Sequence, residues 1–130
     1  MSGILPRRAP FVAIVDDEDP IRRALERLLR ASGLHAQGFA TGGDFLAGLG
    51  ERRPDCLILD LHMPGMSGLE LLRQLQAMEV RLPVVVITAF DDPGSCARCI
   101  HAGAAAYLRK PLDDRALLDA IALAVDGARA

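Results

Sequence analysis

Five polar positions in this 130-residue sequence are placed to do chemistry. Asp16 and Asp17 end the apolar run Phe11 to Val15, Asp60 closes the run beginning at Cys56, Thr88 closes the run beginning at Pro83, and Lys110 follows the short run Ala105 to Leu108. Carboxylates crowded at neighbouring strand ends repel one another. A divalent cation that prefers oxygen ligands relieves that repulsion, so Asp16, Asp17 and Asp60 point to Mg²⁺ or Mn²⁺. After Asp60 comes Leu61-His62-Met63-Pro64-Gly65-Met66-Ser67-Gly68, where proline and glycines turn the backbone sharply and leave the carboxylate accessible. Beside a metal, an aspartate held there is a nucleophile toward an incoming phosphoryl group and becomes an aspartyl phosphate. The plainer readings are a loop-capping carboxylate for Asp60 and a turn former or helix cap for Asp19, which precedes Pro20.

Lys110 is the only lysine among 15 basic residues, the other 14 being arginine. A compact ammonium on a flexible stem reaches a phosphoryl oxygen as a point charge, a task to which a planar guanidinium is poorly suited. Pro111 follows it, and a tight strand-to-helix turn is where a cis Lys110–Pro111 bond is tolerated. The Thr88 hydroxyl can bond a phosphoryl oxygen while the small Ala89 leaves room for the group. Tyr107, the sole tyrosine, pairs an apolar ring with a polar tip and can turn inward or outward. If Thr88 moves toward a phosphoryl group, the vacated volume admits the Tyr107 ring, which makes Thr88 and Tyr107 a two-state switch.

Elements that would hold these residues follow from the pattern of apolar runs. Short runs alternate with segments of helical period, the mark of strand–helix units around a parallel sheet. Strands are expected at Phe11 to Val15, Leu34 to Phe39, Cys56 to Leu61, Pro83 to Thr88 and Ala105 to Leu108. Helices are expected from Asp19-Pro20 to Leu29 with Gly33 as the stop, from Thr41 to Leu49 with Thr41 as N-cap, and after Ser67 with Leu69, Leu72 and Leu75 inward. Two more are expected at Pro93 to Ala102 and Leu112 to Val125. Connections this short require helices on both faces of a mostly parallel, doubly wound five-stranded α/β sheet, with the ligand site outside the carboxyl ends of the strands.

Composition narrows the class further. With 51% apolar residues, 25% charged residues and a net charge of −2, the chain is an ordinary globular domain with neither the signature of disorder nor a nucleic-acid-sized basic surface. No apolar stretch reaches the roughly 20 residues of a membrane span, and MSGILPRRAP lacks the apolar core of a signal peptide. Three cysteines cannot all pair within one chain, which fits a reducing, cytoplasmic compartment. Cys96 and Cys99 have C-x-x-C spacing without the second ligand pair of a zinc site, and read more simply as two helical thiols. Residues 1–10 are expected to be a flexible leader, 11–127 the domain, and 128–130 a tail or the start of a linker.

Taken in this order and on these elements, the motifs identify a family. Asp16-Asp17, the run Leu59-Asp60-Leu61-His62-Met63-Pro64-Gly65-Met66-Ser67-Gly68, Thr88-Ala89 and Tyr107-Leu108-Arg109-Lys110-Pro111 resemble the receiver domain of two-component response regulators from Phe11 to about Val125. The resemblance implies a flavodoxin-like (βα)5 fold with strand order 2-1-3-4-5 and phosphorylation of Asp60 by a sensor histidine kinase. It implies Mg²⁺ held by Asp17, Asp60 and the backbone carbonyl of His62, with Asp16 joining through water. Thr88 and Lys110 would bind the phosphoryl oxygens, and Thr88 with Tyr107 would switch the surface of the fourth helix, fifth strand and fifth helix, with a homodimer on phosphorylation as one outcome. Such a domain catalyses only its own phosphoryl transfer and hydrolysis. The text from Met63 to Leu72 looks most like the subfamily with a C-terminal helix-turn-helix DNA-binding domain. DNA would then be contacted only through an output domain that this chain does not contain, and a single-domain regulator is the other reading.

Some positions depart from the family's common pattern. Phe90 is large enough to shield an aspartyl phosphate and His62 is polar enough to position water, so the pair is expected to tune phosphate lifetime. Two other functions compete. A haloacid-dehalogenase-type hydrolase would use Asp17-Glu18-Asp19 as its D-x-D nucleophile, but that leaves Asp60 without a role and the chain without a cap insertion. A phosphate-independent interaction module would leave all the chemical residues unused.

Overall fold

The protein, a computed structural model, is described from residue 9 to residue 129. Most of the expected leader, residues 1–8, and Ala130 of the expected tail lie outside the described residues. Ten elements alternate: β1 (Phe11–Val15), α1 (Asp19–Ala31), β2 (His35–Phe39), α2 (Gly42–Leu49), β3 (Cys56–Asp60), α3 (Gly68–Ala77), β4 (Val84–Thr88), α4 (Ser95–His101), β5 (Ala106–Arg109) and α5 (Asp114–Arg129). All strand pairs are parallel, in the order β2-β1-β3-β4-β5. β1, β3 and β4 are buried along their whole length, which is why they read as continuous apolar runs, whereas the edge strands β2 and β5 are only partly buried.

Alternate residues of the central strands feed two cores. Ala13, Val15, Leu57, Leu59, Val84 and Val86 pack with Phe45, Leu71, Leu72, Leu75 and Cys99 from α2, α3 and α4. Val12, Ile14, Cys56, Ile58, Val85 and Ile87 pack with Leu25 and Leu29 of α1 and Leu117, Ile121 and Val125 of α5. Each fully buried aliphatic side chain contributes about 1.5–3 kcal/mol. The sheet between these layers is the rigid member on which the strand-end residues stand.

Local starts and stops mostly follow the side chains, within a few residues of the expected bounds. The Thr41 hydroxyl caps α2 by accepting from the Asp44 N–H (3.0 Å), and Ser67 and Glu70 form a reciprocal capping box on α3. Asp19 is the first residue of α1 rather than its cap. The cap position belongs to Glu18, without a side-chain bond, and Asp19 instead pairs with Arg22 one turn on. α4 begins at Ser95 and not at Pro93, because Gly94 has φ +80°, a left-handed conformation that interrupts the helix before it. α5 begins at Asp114, and the Asp113 carboxylate accepts from the Ala116 N–H (2.9 Å). In α3 the buried stripe is Leu71, Leu72 and Leu75, and Leu69 lies one position off it, only partly buried.

Candidate functional site

Register explains why the carboxylates meet. Val15 pairs with Leu59 across β1 and β3, so the next residues, Asp16 and Asp60, stand level at the carboxyl end of the sheet. One oxygen from each of Asp16, Asp17 and Asp60 lies within 4.8 Å of the others, the only such metal-competent group among the described residues. Asp16 and Asp60 are buried and Asp17 is exposed. Three hard oxygen donors crowded so closely suit Mg²⁺ or Mn²⁺.

Lys110 enters the same pocket from the end of β5. Its Nζ lies 3.1 Å from Asp16 Oδ2, 3.5 Å from Asp60 Oδ1 and 3.8 Å from Glu18 Oε1. The Lys110–Pro111 peptide is cis, and the Lys110 N–H donates to the Thr88 carbonyl (2.7 Å). Burial pushes the Asp60 carboxyl up from its ordinary value near 3.8 to about 6, and the Asp16 carboxylate adds to the rise while Lys110 opposes it. Burial pulls the Lys110 ammonium down, but its hydrogen bond to Asp16 and the charges of Asp16, Asp60 and Glu18 together carry it above the ordinary lysine range. One ammonium thus faces an excess of negative charge, which favours a further cation.

The acidic loop is braced by residues that strand-end reasoning alone does not single out. Arg22 donates to the Asp16 carbonyl (2.8 Å) and pairs with Asp19, while Asp16 Oδ1 accepts from the Glu18 N–H (2.9 Å). A Cβ at Gly38 would meet the Arg22 stem at 2.7 and 2.8 Å, so the arginine lies over a strand position kept bare. A glycine inside a strand already signals a close approach of this kind. Gly68 serves the other side: a Cβ there would collide with the Asp60 carbonyl and come within 2.8 Å of Leu61 Cα, and its N–H donates to the Leu61 carbonyl (2.9 Å). The start of α3 is thereby packed directly on the backbone that carries Asp60.

The remaining expected residues, Thr88, His62, Phe90 and Tyr107, meet instead at the loop that follows β4. The Thr88 hydroxyl donates to the Phe90 carbonyl (2.8 Å) and accepts from the Phe90 N–H (3.1 Å). His62 Nε2 lies 3.2 Å from the same carbonyl, and the His62 and Phe90 rings meet edge to face at 5.6 Å, with Phe90 largely exposed. The Tyr107 hydroxyl donates to Asp91 Oδ1 (3.0 Å) at the surface, and burial raises its phenol above the ordinary range. Of the two α4 thiols, Cys96 is exposed and Cys99 buried, with no third ligand near them among the described residues.

A doubly wound parallel sheet with strand order 2-1-3-4-5 thus carries three carboxylates and a lysine at its carboxyl end, where open α/β sheets of this class bind their ligands. The family model described as "Response regulator receiver domain" matches residues 12–122, and the chain belongs to that family, the signalling-switch domain of two-component response regulators. It is 42% identical over 103 residues to the DNA-binding transcriptional regulator NtrC of Salmonella typhimurium, covering 79% of this chain and 22% of that one. It is 37% identical over 110 residues to the transcriptional regulatory protein FixJ of Rhizobium meliloti, covering 85% of this chain and 54% of that one. Among solved structures, a response regulator receiver protein from Burkholderia phymatum superposes with a TM-score of 0.80 at 42% identity, covering 90% of this chain and 95% of that one. The chain thus spans about a fifth of the length of NtrC and about half that of FixJ. No helix of the described residues is long and apolar enough to cross a membrane.

Proposed function

We propose that Asp60 accepts a phosphoryl group from the phosphohistidine of a sensor histidine kinase, and that the modified domain switches the α4–β5–α5 surface to control an output. The observation that carries this reading is the grouping of the Asp16, Asp17 and Asp60 oxygens within 4.8 Å, with Lys110 Nζ 3.5 Å from Asp60. Asp17, Asp60 and the His62 carbonyl, with Asp16 behind them, would hold Mg²⁺ (or Mn²⁺), which when bound neutralises charge on the transferring group. An Asp60 oxygen attacks phosphorus as the nitrogen–phosphorus bond of the donor breaks. Lys110 and the Thr88 hydroxyl then bind phosphoryl oxygens, Thr88 by leaving the Phe90 backbone. Departure of the Thr88 side chain makes room for Tyr107 to turn inward. Hydrolysis of the aspartyl phosphate resets the domain, and the His62–Phe90 ring pair sets how fast water reaches it.

The names of the relatives support transcription as the output, exerted through DNA-binding segments of a longer cytoplasmic protein, with a homodimer on phosphorylation as one route. Intact-mass measurement after incubation with acetyl phosphate and Mg²⁺ tests the chemistry. One added phosphoryl group that is lost in Asp60→Asn and without metal supports it, and no addition on folded protein sinks it. For the lifetime role, His62→Ala and Phe90→Ala should each change the dephosphorylation rate by several-fold. Unchanged rates in both variants would remove that role.

A further inference from the structure

Asp91 is used by none of the chemistry above, yet it joins two elements of the switch. It lies three residues past Thr88, and its two carboxylate oxygens are divided between two side chains of β5: Oδ1 accepts from the Tyr107 hydroxyl (3.0 Å) and Oδ2 pairs with Arg109 Nη2 (2.6 Å). Tyr107 and Arg109 are two residues apart on one strand and so share a face of the sheet. Their register partners on β4 are Val86 and Thr88. The strand position beside Thr88 and the one before it on that face are therefore both tied to the loop that Thr88 must release.

Beside the His62 contact to the Phe90 carbonyl, two anchors tie that loop to the switch residues: the pair of bonds between the Thr88 hydroxyl and the Phe90 backbone, and Asp91. A phosphoryl group on Asp60 competes for the first anchor directly, because Thr88 cannot serve Phe90 and a phosphoryl oxygen with the same proton. It does not touch the second, and Tyr107 cannot turn inward while its hydroxyl is held at the surface by a carboxylate that Arg109 in turn holds in place. We propose that Asp91 is a positioning residue of the switch, a latch that keeps Tyr107 outward in the unphosphorylated domain and so sets how much of the protein is ready to accept the phosphoryl group. The inference rests on the phospho-acceptor reading of Asp60.

In a two-state protein, apparent affinity scales with the fraction in the competent form, so loosening the latch strengthens binding of a phosphoryl mimic without adding any contact to it. The experiment measures the apparent Kd of beryllofluoride with Mg²⁺ for wild type, Asp91→Ala, Tyr107→Phe, Arg109→Ala and the Asp91→Ala/Tyr107→Phe double variant. Asp91→Ala is expected to bind roughly three- to ten-fold more tightly, and Arg109→Ala less than three-fold more tightly, because it removes only the brace. Tyr107→Phe should give much of the Asp91→Ala gain, and the double variant no more than Asp91→Ala alone, a non-additivity that a merely structural role would not produce. Wild type that binds the mimic while Asp91→Ala binds it equally or more weakly overturns the latch and leaves the phospho-acceptor reading standing. Folded wild type that takes up no mimic at all overturns both.

Discussion

The two sides of the carboxyl end of β5 are built differently. On the Lys110 side, a largely buried ammonium sits within 3.5 Å of two buried carboxylates, and α3 is packed so tightly against the Asp60 backbone that only glycine fits at position 68. On the Tyr107 side, the contacts are a surface hydrogen bond and an ion pair in which the Arg109 side chain is 73% exposed. Charge in the first region is desolvated and worth several kcal/mol when disturbed; in the second it is shared with water and worth a fraction of that. Under the proposed function, the chemistry that must be ready before its reagent arrives stands on the stiff side. The part proposed to change shape is held by contacts weak enough to lose.

This contrast is open to measurement, beginning with its strongest element. Lys110→Ala leaves Asp16 and Asp60 facing each other in a buried pocket without their cation, and should lower unfolding free energy by about 4 kcal/mol in denaturant melts at neutral pH. A loss below about 1 kcal/mol would mean the corner is wetter than its geometry implies.

The next effect has a definite sign with pH. A carboxyl raised from 3.8 to about 6 binds its proton more tightly folded than unfolded, so ionised Asp60 costs stability. That cost is absent below pH about 4, where both states are protonated, develops as pH rises from 4 to 6, and is complete above it. Asp60→Asn, which mimics the uncharged group, should therefore be more stable than wild type by roughly 3 kcal/mol at pH 7.5 without metal. The two should converge as pH falls toward 4, as thermal or denaturant melts would register. A pH-independent difference would assign the gain to packing rather than charge. On the soft side, Arg109→Ala should cost no more than about 0.5 kcal/mol, and added salt should shrink even that. A loss several times larger would erase the distinction between the two sides.

Much of this was legible before any coordinates, and the reasons are physical. The central strands are apolar on both faces and end at their first strongly polar residue, so Asp16, Asp60 and Thr88 mark strand ends in the sequence itself. The lone lysine among arginines points to the one place where a compact ammonium is needed. What stayed hidden depends on partners far apart along the chain. Nothing near Gly38 reveals that the stem of Arg22 will lie across it, and nothing near Asp91 reveals that Tyr107 and Arg109, 16 and 18 positions on, will divide its oxygens. Helix starts failed for a local reason instead: Pro93 is a good first-turn residue, but the left-handed Gly94 after it pushes the start of α4 to Ser95.

Tyr107 has one more consequence, an optical one. The chain has one tyrosine and no tryptophan, so essentially all of its near-ultraviolet emission comes from that single phenol. A carboxylate accepting the phenolic proton drains the excited state, and Asp91 is such an acceptor in the outward arrangement. Emission should brighten when the ring leaves Asp91, so the unlabelled protein carries a fluorophore at the residue whose position would distinguish the two states of the proposed switch.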